Sequence, residues 1–224
     1  MPKKFRFALI TVVVLGVLAA AIYAVYRASQ HVPPFYVEAI SIPAQTQEKE
    51  SDRMLRQITT LHNELQGKGS WRQVFEARTI NAWLAVDLPQ NLPTLLPPGM
   101  RDPRVQIGPQ GITLACQVDR GAFHGVASLQ ISAFVESDDV VGLRVHKARL
   151  GAIPWSFRTV LDAITEAAQK SNVEISWRQA DGDPVALIKI TSVRGPRKQI
   201  IHINAISLED GALVVAGTTE MAPK

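Results

Sequence analysis

Three patterns of apolar and polar positions follow one another along the chain. From Phe7 to Tyr26 (FALITVVVLGVLAAAIYAVY) the residues run for 20 positions without a charge. A helix rises ~1.5 Å per residue, so this segment spans ~30 Å, the thickness of a hydrocarbon core. It is apolar on every face and terminal in the chain, which predicts a transmembrane helix rather than a buried core helix. A second pattern is helical and amphipathic. Met54, Ile58, Leu61 and Leu65 fall on one face and predict a helix over 44–66, ended by Gly67 and Gly69. From Val105 onward the period becomes two. Ile112, Leu114, Cys116 and Val118 alternate with polar or small neighbours, as do Ala127, Leu129, Ile131, Ala133 and Val135, then Val141, Leu143 and Val145. The alternation slips near Lys147, where a bulge is expected.

Turn signals separate these strands: Pro109-Gln110-Gly111, Asp119-Arg120-Gly121 and Ser137-Asp138-Asp139. Short connections with clean alternation predict antiparallel hairpins with one buried and one wet face. Gly151-Ala152-Ile153-Pro154 then breaks the pattern, and Phe157, Val160, Leu161, Ile164 and Ala168 form a helical stripe. Strands resume over 173–179, 186–191, 200–208 and 212–219, the last two joined at Glu209-Asp210-Gly211, where Asp-Gly suits a type I′ turn. Ahead of the first hairpin, Trp71–Glu76 reads as a short strand and 77–87 as a helix. Prolines 89, 93, 97, 98 and 103 then exclude helix and central strand. The fold class expected is α+β: a transmembrane helix, then a curved antiparallel β-sheet packed around one or two helices.

Charge orients the first segment. Lys3, Lys4 and Arg6 precede it and Arg27 follows, with no acidic residue through position 27. The positive-inside rule then places residues 1–6 as a cytoplasmic basic tail, 7–26 as the anchor and 27–43 as a tether begun by Pro33-Pro34. Residues 44–224 form a domain outside the cytoplasmic membrane. The rival reading is a signal peptide cleaved at Ala19-Ala20-Ala21. The apolar run through Val25 is longer than such a peptide needs, which favours the anchor. The net charge of +4 comes from this terminus, because the rest of the chain balances. A neutral body argues against nucleic-acid binding.

The chemistry legible in sequence is sparse. A single cysteine, Cys116, excludes an intrachain disulfide and a cysteine-built metal or redox pair, and its place on an apolar strand face suits an inert thiol. The five histidines include no pair at metal-ligand spacing, and neither His124 nor His146 has a carboxylate close in sequence. Asp181 and Asp183 flank a turn rather than a calcium loop. No motif of a hydrolase, metalloprotease, P-loop or dinucleotide-binding protein occurs. Neither a cofactor nor a metal site is expected.

Several fragments resemble YpmS-like single-pass extracytoplasmic bacterial proteins, a family of unknown function. Phe75–Leu84 (FEARTINAWL) resembles their opening motif, with Glu76 where the family carries Thr or Ser. Ala148–Pro154 (ARLGAIP) resembles the Gly-x-hydrophobic-Pro element before a helix. Leu208–Gly217 (LEDGALVVAG) resembles the closing Asp-Gly hairpin of several envelope proteins, some linked to lipid binding. The resemblance spans residues 70–220 and implies no catalytic residue.

Two functions compete, with an enzyme built from scattered residues as a third. The first is a non-catalytic interaction or scaffold domain of the cell envelope. The second is a lipid or amphiphile carrier whose pocket is lined by Leu114, Leu129, Ile131, Leu143, Ile188 and Ile190. Leu92, Leu95, Leu96 and Met100 on the proline-rich loop, with Arg194, Arg197 and Lys198, would meet a lipid or an envelope protein. Arg144, Lys147 and Arg149 form a further basic cluster. The oligomeric state has no signature. An apolar cavity opening near Leu95 and Leu96 separates the carrier from the scaffold, for which a filled core is expected.

Overall fold

Alternating apolar residues need a ladder to pair with and a layer to cover them, and the chain supplies both from separated segments. A computed structural model describes residues 3–121, 123–137, 139–170, 173–189 and 199–221. Helices α1 (Lys3–Ser29), α2 (Pro34–Ile40) and α3 (Ala44–Leu65) open the chain, followed by β1 (Gly69–Glu76) and α4 (Ala77–Asn91). Strands β2 (Met100–Gly108), β3 (Gly111–Arg120), β4 (Phe123–Ser137) and β5 (Val140–Leu150) then run consecutively. The short β6 (Ile153–Pro154) leads into α5 (Phe157–Lys170). Strands β7 (Ile175–Ala180), β8 (Asp183–Lys189), β9 (Gln199–Glu209) and β10 (Ala212–Met221) complete the order.

All these strands pair antiparallel, in two sheets rather than the single curved sheet expected. The larger has seven strands, ordered β2-β3-β4-β5-β8-β7 with β6 paired to β5. The smaller has three, ordered β1-β10-β9. The difference is long-range: β1 pairs with β10 along its whole length, from Gly69 opposite Thr219 to Glu76 opposite Ala212. No local pattern specifies such a partner.

The membrane-spanning anchor is corrected. Among the described residues no helix is long and apolar enough to cross a membrane. The end of α1 is also docked on the sheets. Ala152 N–H donates to the Ala28 carbonyl at 2.8 Å and Gln30 Nε2 donates to the His124 carbonyl at 3.3 Å. Residues read as a tether hold α2, whose Tyr36 is buried and packs with Ala115 and Val126, beside Phe35.

Other expectations need smaller corrections. Helix α4 passes through Pro89 and reaches Asn91, because Pro89 sits in its last turn and removes only one backbone donor. The Asp210-Gly211 turn is not type I′, since Gly211 alone has positive φ. Asp181 and Gly182, at φ 53° and 85°, carry that signature instead. On α3 the stripe residue Ile58 is 41% exposed, while the buried position is Ser51, whose hydroxyl donates to Asp87 on α4. The slip near Lys147 is present as a register shift between Gln130 and Ile131.

Along its first strands the larger sheet has the expected apolar face and a mainly polar one, with Lys147 and Arg149 exposed on the latter and α2 covering part of it. Register puts Leu114, Leu129 and Ala148 on one face. Ala115, Ser128 and Arg149, with Thr113, Gln130 and Lys147, lie on the other. Helix α2 packs over Ala115 on that second face. The first face is left to α5.

Candidate functional site

Helix α5 is held over the first face by hydrogen bonds at its start and middle. Trp155 N–H donates to the Ala148 carbonyl at 2.8 Å, which brings the chain back across β5 before the helix begins. Trp177 Nε1 on β7 donates to Thr165 Oγ1 at 2.9 Å, and that hydroxyl donates to the Leu161 carbonyl at 2.8 Å. Between these points the helix stands off the sheet. Val160, Ala163 and Ile164 face Leu114, Cys116 and Leu129 across a cavity of about 280 Å³. Leu96, Pro97 and Met100 from the proline-rich loop and the start of β2 form its side wall.

The size and lining decide what this space can do. A cavity of ~150 Å³ lined by aliphatic side chains stays dry and accepts a benzene. At nearly twice that volume, lined almost wholly by apolar surface and open to solvent on one side, the space suits one alkyl segment or a small amphiphile. The Cys116 thiol contributes no charge to it, since burial raises its pKa to about 11. Arg104 contributes to the wall but is itself buried. Its Nη1 donates to the Pro103 carbonyl at 2.7 Å and its Nε has no partner among the described residues. Burial lowers its pKa, opposed by the nearby Asp102 and Tyr36.

The sequence-predicted residues divide. Leu96, Met100, Leu114 and Leu129 come together around the cavity. Leu92 and Leu95, on the same loop, are 44% and 43% exposed and do not line it. Ile131, Leu143 and Ile188 are half-buried elsewhere on the sheet and do not line it either. Ile190, Arg194, Arg197 and Lys198 lie outside the described residues. Trp155 and the small residues Ala127 and Ala163 were missed. Their signal is size: alanines on a sheet and a helix that face each other leave room.

The polar residues also have places. Arg144 Nη1 donates to Asp181 Oδ2 at 3.1 Å, while Lys147 and Arg149 have no ion-pair partner among the described residues. The fold gives each of the two histidines a carboxylate, five residues away in sequence for His124 and 37 away for His146. His124 Nδ1 is 2.9 Å from Asp119, and His146 Nδ1 is 3.0 Å from Asp183. Among the described residues no three His, Cys, Asp or Glu side chains gather to hold a metal. Compared with family models, curated protein sequences and solved structures, the chain matches none of them.

Proposed function

We propose that this chain binds an apolar ligand, an acyl chain or comparable amphiphile tail, in the cavity between α5 and the larger sheet. The observation that carries this reading is the apolar cavity of about 280 Å³ between Leu114, Leu129 and Ile164. The space leaves apolar surface open to water, Leu114 at 37% exposure among it, which an alkyl chain would cover. Burial of an alkyl chain contributes ~0.8 kcal/mol per methylene, so a chain of several carbons offsets the cost of association.

Cys116 supplies the test. The full chain is treated with a thiol-reactive maleimide with and without dodecanoic acid, and labelling is followed by intact mass. The reading expects Cys116, the only thiol, to be protected several-fold by the ligand. Unchanged labelling at saturating ligand overturns it.

A further inference from the structure

Three of the five histidines hold an aspartate on Nδ1: His124 with Asp119, His146 with Asp183 and His202 with Asp139. Of these three, only His146 also holds a hydroxyl on its other ring nitrogen, with Ser132 Oγ 2.9 Å from Nε2. With Nδ1–H donating to Asp183 Oδ2 at 3.0 Å, the neutral ring presents Nε2 as an acceptor for the Ser132 proton. A serine, a histidine base and an orienting carboxylate linked in that order are the parts of a nucleophilic site, whatever their places in the sequence.

The sheet explains how three scattered residues meet. β5 pairs Arg144 with Val185 on β8, so the next row on that face sets His146 beside Asp183. Between β4 and β5, Gln130 pairs with Lys147 and Ile131 with Val145, which leaves His146 as the extra residue of a bulge, turned toward Ser132. Bulges re-aim side chains and recur beside active sites. The positive-φ turn at Asp181-Gly182 places Asp183, and Arg144 fixes that turn through Asp181. The His146 and Asp183 side chains are 30% and 29% exposed, so a substrate can reach them.

A cleft of about 290 Å³ lies on the same face, lined by Thr113, Ser128, Gln130, Lys147 and Arg149. Gln130 is two positions from Ser132 along β4, ~7 Å at strand rise. The lining contains two cations and no carboxylate. We propose that Ser132, His146 and Asp183 hydrolyse carboxylic esters that carry an anionic group, with Lys147 and Arg149 holding that group. Ser132 Oγ bonds to the ester carbonyl carbon as its proton passes to His146 Nε2. Breaking the ester C–O bond releases the alcohol, which takes that proton. Water, deprotonated by His146, then attacks the acyl-serine, and the carboxylate leaves as the proton returns to Ser132. Asp183 holds the ring throughout. The proposal is independent of the apolar cavity, which lies on the opposite face.

The test treats the full chain with a fluorophosphonate and maps the adduct by peptide mass, alongside hydrolysis of p-nitrophenyl acetate and p-nitrophenyl hemisuccinate. An adduct on Ser132 is expected. Hydrolysis should fall ~100-fold in Ser132→Ala and in His146→Ala, and at least ~10-fold in Asp183→Asn, which keeps the side-chain shape. Lys147→Ala with Arg149→Ala should slow the hemisuccinate about tenfold more than the acetate. Circular dichroism confirms that each variant is folded. An unmodified Ser132 in the folded wild-type chain, or equal labelling of wild type and folded His146→Ala, overturns the proposal.

Discussion

The side chain of Asn81 pairs with Val105 as another strand would. Its Nδ2 donates to the Val105 carbonyl at 2.8 Å, and its Oδ1 accepts the Val105 N–H at 2.6 Å. β2 is the edge of the larger sheet, and an open edge invites pairing with other chains. One residue pair further along, Gly211 N–H donates to the Ile107 carbonyl at 2.9 Å, and Ala77 N–H donates to the Gly211 carbonyl at 2.7 Å. Helix α4 and the β9–β10 turn together close this edge and join the two sheets. Replacing Asn81 with Ala leaves two buried backbone groups without partners, at ~1–3 kcal/mol each. Urea unfolding should show a loss of ~2–4 kcal/mol, with self-association on size-exclusion chromatography.

Gly151 marks where α1 docks. Its φ is 60°, and a Cβ there would run into the carbonyl oxygens of Ala28 and Ser29. Gly211, at φ 80°, has open space around a Cβ. Gly211→Ala should therefore lose only the left-handed backbone term, ~1 kcal/mol. Gly151→Ala should lose ~2–3 kcal/mol and detach the end of α1. Thermal unfolding ranks the two, and faster amide exchange at Ala152, whose N–H is bound to Ala28, reports the detachment.

Tyr36 sets a limit at high pH. Burial, with Asp102 nearby, pushes its phenol up to about 12, and the hydroxyl donates to the Asp102 carbonyl at 2.9 Å. The folded state thus holds this proton more tightly than the unfolded chain, where the pKa is ~10. The contribution is complete below pH ~10 and is lost as pH rises through about 12. Its size is at most ~3 kcal/mol. Subtracting the stability profile of Tyr36→Phe from that of wild type isolates it from other groups titrating in that range.

The cavity can be filled without touching the serine constellation. Ala163→Leu should occupy part of the space left by Val160 and Ile164 and raise stability by ~1 kcal/mol, the converse of creating a void. Ala163→Trp should occupy more and exclude an alkyl ligand. Differential scanning calorimetry measures the first effect. A loss of stability in Ala163→Leu would mean that the space is already packed.

What the sequence disclosed follows the range of the forces involved. The helix over 44–66 is found at Ala44–Leu65, and the strands from Ile112 to Leu150 lie where period-two alternation places them, because both rest on neighbours in sequence. The pairing of β1 with β10 was illegible, as was the edge closure by Asn81, because each joins segments brought together only by the whole fold. The cavity was half legible. Leu114 and Leu129 were identified by strand parity, whereas Ile131 and Leu143 share that parity and do not line this cavity. Parity assigns a face, and only the position of α5 assigns a distance from it. His146 was read without a carboxylate because Asp183 is 37 residues away.

The most direct measurement is native mass spectrometry of the full chain after incubation with dodecanoic acid, on wild type and Ala163→Trp. The account predicts one ligand per wild-type chain and none on the folded Ala163→Trp variant. Equal occupancy in both, or no bound ligand on wild type at saturating concentration, would contradict a ligand site between α5 and the sheet.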